Sequence, residues 1–217
     1  MKTIVIKKKY GVGGSSTRIL IKEGSSVFLL KITDLKEIGI LTKYVPKLIS
    51  LNDQKYTVFN KDGCSYVYKY EFIRGKHLNQ VVIDDVIFAE IIKMFKYFSY
   101  KQCLAWDCHT TNIIVTNKKR VFFIDLGGIK LLSENSLYYP FIFKPGIEPD
   151  EYKSNEYPKS LNNEQFLIYY LSHRLLRECK LRISKTNMLI LTKMNEQSRK
   201  KRFKSFKQIY KRIASNT

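Results

Sequence analysis

Residues 106–128 constrain the chain more than any other stretch. They read Trp106-Asp-Cys-His-Thr-Thr-Asn112, then Ile-Ile-Val, and later Val121-Phe-Phe-Ile-Asp125-Leu-Gly-Gly128. Two apolar runs, Ile113–Thr116 and Arg120–Ile124, flank a polar Asn-Lys-Lys at 117–119. Such runs around a turn predict a small hairpin. Its flanking strands then fix Asp107, Asn112 and Asp125 on one rigid edge. An isolated Asp or Asn near a strand end is an ordinary turn residue. An Asp-x-x-x-x-Asn followed, after a hairpin, by apolar-apolar-Asp-Leu-Gly is a far more specific pattern.

Two carboxylates and one amide in this arrangement suit phosphoryl transfer. That reaction asks a protein for placement and charge neutralisation, with little covalent chemistry. Asp107 is the candidate to accept or orient an attacking hydroxyl. Asn112 and Asp125 are the candidates to hold Mg2+ against phosphate oxygens.

The rest of the chain divides by its hydrophobic period. Strands are predicted over Thr3–Lys8, Thr17–Lys22 and Ser26–Thr33, separated by turns at Gly11–Ser16 and Glu23–Ser26. Asp34–Ser50 reads as a helix, with Ile38, Leu41, Tyr44 and Val45 at helical spacing, Asp34 as cap and Pro46 ending it early. Strands Lys55–Phe59 and Ser65–Ile73 follow, joined by Asn-Lys-Asp-Gly at 60–63. After Gly75 the period lengthens. Asp84–Tyr100 carries Ile87, Ile91, Met94, Phe95 and Phe98 on one helical face. Ser133–Tyr157 reads as loop, Asn162–Cys179 as helix, and the remainder as basic helix. The expected class is α+β in two lobes joined near Phe72–Gly75: a small antiparallel β lobe over 1–73 and a compact, mainly helical lobe over 74–217.

Composition narrows the functions. A chain of 217 residues, 44% hydrophobic and 27% charged, can bury one ordinary core or two small ones. Its four cysteines, Cys64, Cys103, Cys108 and Cys179, form no Cys-x-x-Cys pair, so free thiols in a reducing cytoplasm are expected rather than a zinc site or disulfides. The basic N-terminal run is too interrupted for a signal peptide, and no run is long enough to span a bilayer. The formal charge is +20. From Lys180 to Thr217 there are twelve Lys or Arg against Glu196 alone, so +11 of that charge lies in the last 38 residues. Such a balance attracts anionic surfaces, nucleic acid or phosphorylated substrates.

Together these features resemble the protein-kinase-like superfamily. Asp107 and Asn112 match its catalytic loop, and Asp125-Leu126-Gly127 matches its Asp-Phe-Gly motif. The resemblance implies a two-lobed kinase-like fold using ATP and Mg2+. It implies a phosphate-covering loop at Gly11, Gly13 and Gly14, although the spacing departs from G-x-G-x-x-G and an ordinary hairpin turn has the same look. Lys31 matches the third-strand lysine that grips the α- and β-phosphates; a lysine amid Val27-Phe-Leu-Leu is otherwise awkward. Glu37 is placed to pair with Lys31, or to be a solvated acid at a helix start. Tyr70, Glu71, Phe72 and Ile73 correspond to the hinge whose extended backbone hydrogen-bonds adenine, with Tyr70 near the back of the pocket.

Ala105-Trp106 stand where regulated protein kinases carry His-Arg. His109 is similar to the His of Asp-x-His-x-x-Asn in small-molecule kinases such as aminoglycoside phosphotransferases. The short length, the stretch Ile124–Lys130 and the basic ending resemble the bacterial lipopolysaccharide core kinases that phosphorylate heptose or Kdo. That resemblance implies a lipid-linked saccharide acceptor and a place in the cytoplasm, peripheral on the inner face of the cytoplasmic membrane; a monomer is expected. In residues 198–217, Phe203, Phe206, Ile209, Tyr210 and Ile213 interleave with Lys and Arg, as in a helix lying on an anionic membrane. The same pattern suits a helix packed on its own lobe. Nucleic acid is a weaker partner, since only charge suggests it. The alternatives are a small atypical Ser/Thr protein kinase, of the RIO-like, tRNA-modification-associated or secreted-effector type, and a pseudokinase binding module. A scaffold has no physical need to keep Lys31, Asp107, Asn112 and Asp125 together.

Overall fold

The computed structural model describes residues 3–8, 16–33, 41–51, 59–60, 63–64, 66–105, 107–131 and 164–215. The class is α+β, and the chain divides into two compact units, Met1–Arg74 and Gly75–Thr217.

The first unit is a five-stranded antiparallel sheet with two short strands beside it in sequence. Its strands are β1 (Thr3–Lys8), β2 (Ser16–Glu23), β3 (Ser26–Thr33), β4 (Leu48–Leu51), β5 (Phe59–Asn60), β6 (Gly63–Cys64) and β7 (Tyr66–Glu71). The sheet order is β1-β2-β3-β7-β4, and β5 pairs with β6. β2 and β3 are a tight hairpin, Glu23 opposite Ser26, with Gly24 at φ 60 in the turn. A side chain there costs left-handed backbone strain, which glycine avoids. Ile21, Leu30, Val67 and Tyr68 are buried to 2% exposure or less.

The helix expected over Asp34–Ser50 does not extend through its second half. Residues 34–40 lie outside the described residues; 41–47 are irregular and Leu48–Leu51 form β4. Tyr44 sits at φ 62, which no helix interior accepts. Leu41 and Val45 are buried all the same. Their spacing records burial, and pairing with β7 claims the backbone: Glu71 N–H donates to Lys47 C=O at 2.9 Å and Leu51 pairs with Tyr68.

The second unit holds strands β8 (Lys76–His77), β9 (Val82–Asp84), β10 (Cys103–Ala105), β11 (Ile113–Val115), β12 (Val121–Phe123), β13 (Ile129–Leu131) and β14 (Lys180–Arg182). Its helices are α1 (Asp85–Tyr100), α2 (Glu164–Glu178), α3 (Lys185–Met194) and α4 (Phe206–Ala214). Asp84 caps α1, accepting Ile87 N–H at 3.0 Å. The apolar face of α1 is fully buried from Ile87 to Phe98. Phe95 stacks on Phe206 of α4 at 5.2 Å, and Phe98 meets Phe123 of β12 edge-on at 6.1 Å. β8 lies against β11, so closely that a Cβ on Gly75 would stand 2.5 Å from Val115 O. Only glycine fits there.

The basic C-terminal segment is not one continuous helix. β14 pairs in parallel with β9, residues 195–205 are irregular, and α4 starts at Phe206, leaving Phe203 outside it. Phe206, Ile209 and Ile213 are buried to 4% or less. Arg202, which the sequence groups with the basic run Arg199–Arg202, is 3% exposed. Its guanidinium donates to the carbonyls of Glu196, Gln165 and Gln197 at 2.8 Å each and lies over the Tyr169 ring. Lys204, Lys207, Lys211 and Arg212 remain exposed. Among the described residues, no helix is long and apolar enough to cross a membrane.

Candidate functional site

Two antiparallel ladders flank the loops that carry Asp107, Asn112 and Asp125. β10 pairs with β13, setting Ala105 opposite Ile129. β11 pairs with β12, setting Ile113 opposite Phe123. Residues 107–112 and 124–128 therefore run between the same two ladders, flanked by a paired strand on either side. The ladders form because all six residues of β10 and β11 are buried. Ile124 N–H donates to Asn112 C=O at 2.9 Å, tying one loop to the other.

The loops touch again at Gly128. A Cβ there would lie 2.8 Å from Asp107 Cβ. The second glycine of Asp-Leu-Gly-Gly thus lets the backbone pass directly over the Asp107 side chain. Single 3₁₀ turns at Thr110–Asn112 and Leu126–Gly128 shape the two loops. Gly128 N–H donates to Asp125 C=O at 3.1 Å.

Asn112 and Asp107 are joined directly. Asn112 Nδ2 donates to Asp107 O and to Asp107 Oδ2, each at 3.0 Å. The amide's donor side is therefore committed, and Oδ1 is the atom it has to offer a cation. Asp107 is 38% exposed at its side chain and Asp125 is half-buried. Asp107 Oδ1 faces His109 Nε2 at 3.7 Å. Asn112 Oδ1 and the Asp125 carboxylate are hard oxygen donors of the kind Mg2+ takes when phosphates and water complete its shell. Among the described residues, no three His, Cys, Asp or Glu side chains form a metal-binding group. With Asn112 Oδ1 and the Asp125 carboxylate as its protein donors, any Mg2+ held here would need further oxygens from phosphate and water.

Lys31 belongs to the first unit. It lies opposite Arg18 of β2 and Tyr68 of β7, is 6% exposed, and shares a sheet face with Tyr70, since facing and alternate residues of a sheet lie on one side. Tyr66, Tyr68 and Tyr70 stack in succession along that face, at 6.0 and 5.8 Å. Tyr70 is buried, Glu71 exposed, and Phe72 and Ile73 half-buried. The Glu71 and Phe72 amides donate back into the sheet, to Lys47 and Val27. Gly11, Gly13, Gly14 and Glu37 lie outside the described residues.

Three residues that motif spacing did not single out also meet the loop. Tyr170, Arg174 and Glu178 recur every four positions along α2, on one helical face. Glu178 Oε2 accepts the Thr110 hydroxyl at 2.6 Å, and its Oε1 pairs with Arg174. Arg174 also donates to Tyr170 OH at 2.6 Å. Burial alone would raise the Glu178 carboxyl, but hydrogen bonds from Thr110 and Arg174 hold it below the usual range. Burial pushes the Tyr170 phenol and the Cys108 thiol up, so both stay neutral and Cys108 is no nucleophile. Polar residues at i, i+4 and i+8 within a largely buried helix are the signal that marks this cluster in the sequence. No protein-family model matches the chain, and no curated protein matches it.

Proposed function

We propose that the chain is an ATP-dependent phosphotransferase with a protein-kinase-like, two-lobed fold. The observation that carries this reading is the pair of loops held between two ladders, with Asn112 clamping Asp107 and Gly128 passing over it. Asp107 Oδ1 is the oxygen to take the proton of an attacking hydroxyl. Asn112 Oδ1 and Asp125 are the groups that would hold Mg2+, which neutralises phosphate charge when bound. In the first unit, Lys31 is assigned to the ATP phosphates and the backbone at Glu71–Ile73 to the adenine edge. Two of those amides are engaged within the sheet, so the adenine edge is assigned to Ile73 N–H.

The acceptor we assign is a lipopolysaccharide core sugar, heptose or Kdo, presented at a membrane surface. His109 two residues after Asp107, Ala105-Trp106 where regulated protein kinases carry His-Arg, and the exposed lysines of α4 support it. Because the apolar side of α4 is buried, contact with an anionic bilayer would rest on Lys204, Lys207 and Lys211 rather than on insertion.

Calorimetry with MgATP tests the nucleotide site, and Asp107→Ala should abolish MgATP turnover while leaving thermal unfolding unchanged. No MgATP binding by the wild type rejects the enzyme. Labelled ATP offered with core oligosaccharide or with a protein panel tests the acceptor; label on protein alone replaces the sugar with a Ser/Thr acceptor.

A further inference from the structure

The α2 cluster does more than brace the loop. The Arg174 guanidinium is fixed on two sides, by Glu178 Oε1 and by Tyr170 OH, and it lies over the Tyr170 ring at 5.0 Å. Its Nη2 then reaches His109 Nε2 at 3.0 Å. A guanidinium has donors only, so Nε2 is the acceptor and the neutral ring carries its hydrogen on Nδ1. The same Nε2 is the nitrogen 3.7 Å from Asp107 Oδ1. With its lone pair turned to Arg174, it has no hydrogen to give that oxygen. Asp107 Oδ2 is taken by Asn112. One carboxylate oxygen is thus held for orientation, and the other is kept from a competing donor. The next residue, Thr110, is held by Glu178, so a shift of the loop at His109 would strain the Thr110 and Arg174 contacts together.

We propose that Arg174 is a positioning residue of this site: it sets His109 with Nε2 as acceptor, and so keeps Asp107 Oδ1 open to the hydroxyl of the acceptor substrate. The role at Asp107 rests on the phosphotransferase reading; the state of His109 does not. The chain has three histidines, His77, His109 and His173, so ¹⁵N-histidine spectra of the whole protein are readily assigned with a His109→Gln control.

The expected wild-type spectrum shows the Nδ1–H form at His109. Arg174→Met should convert it to a mixture with Nε2–H, and Arg174→Lys, which keeps a donor, should restore Nδ1–H. With MgATP and acceptor, Arg174→Met should lower kcat about tenfold to a hundredfold, a part of what a positioned base contributes, with KM for ATP within about twofold. An Nε2–H form in the wild type overturns the proposal even if Arg174→Met does not fold. So does a folded Arg174→Met protein with an unchanged tautomer or unchanged kcat. Failure of the wild type to bind MgATP overturns the phosphotransferase reading and the role at Asp107 with it. An Nε2–H form beside intact MgATP binding overturns this proposal alone.

Discussion

At Gly128 a single missing methyl group decides whether Asp107 keeps its place. A Cβ would stand 2.8 Å from Asp107 Cβ, well inside van der Waals contact, and both belong to anchored loops that cannot easily separate. Gly128→Ala is therefore expected to cost about 1–3 kcal/mol of stability, the usual range for overpacking. It should also reduce MgATP turnover beyond that loss, because the displaced atom carries the carboxylate proposed as the base. Thermal unfolding and turnover of one preparation check both. A turnover equal to wild type would mean that Asp107 is not at the reacting position. The motif residues Asp107, Asn112 and Asp125 were legible from spacing alone. The donors around them were not. Arg174 and Glu178 lie 67 and 71 positions beyond Asp107 in sequence, and only helix packing brings them to the loop.

Among the elements, α4 shows how far amphipathicity carries. Its polar side is exposed at Lys207 and Lys211, and its apolar side is buried against α1 through the Phe95–Phe206 stack. Phe206→Ala should cost about 3–5 kcal/mol, since it removes a buried ring and leaves a cavity. Lys207→Glu, one residue on and on the exposed side, should stay within about 0.5 kcal/mol. Chemical denaturation of the two variants checks this contrast. A small effect of Phe206→Ala would mean that α4 is loosely attached and that its apolar side is available to another partner.

For the whole molecule the dominant quantity is charge. At +20 the chain repels itself and attracts anions over roughly a Debye length, about 10 Å at 0.1 M salt and about 3 Å at 1 M. With the apolar side of α4 buried, attraction to an anionic bilayer is expected to be electrostatic throughout. Binding to vesicles containing anionic lipid should fall steeply between 0.1 M and 1 M salt, and neutral vesicles should bind little. Sedimentation with vesicles measures it. Binding that persists at 1 M salt would show that apolar groups insert.

Local signals are what the amino-acid sequence determines without help. β3, the β2–β3 turn, the β11–β12 hairpin and α1 follow from period and turn chemistry within a dozen residues; β3 carries Lys31, and the hairpin's flanks carry Asn112 and Asp125. The tertiary structure decided the rest. Short strands with no local turn partner, such as β4, β8, β10 and β13, show neither a period nor a hairpin signal. They exist because a distant partner supplies their hydrogen bonds. Residues 41–50 look helical by spacing, yet 41–47 are irregular and Leu48–Leu51 become strand because β7 takes their backbone. Amphipathic spacing announces that the apolar side of α4 will be covered, but not by what, since protein and lipid remove the same apolar surface from water. Only the fold shows α1 lying there.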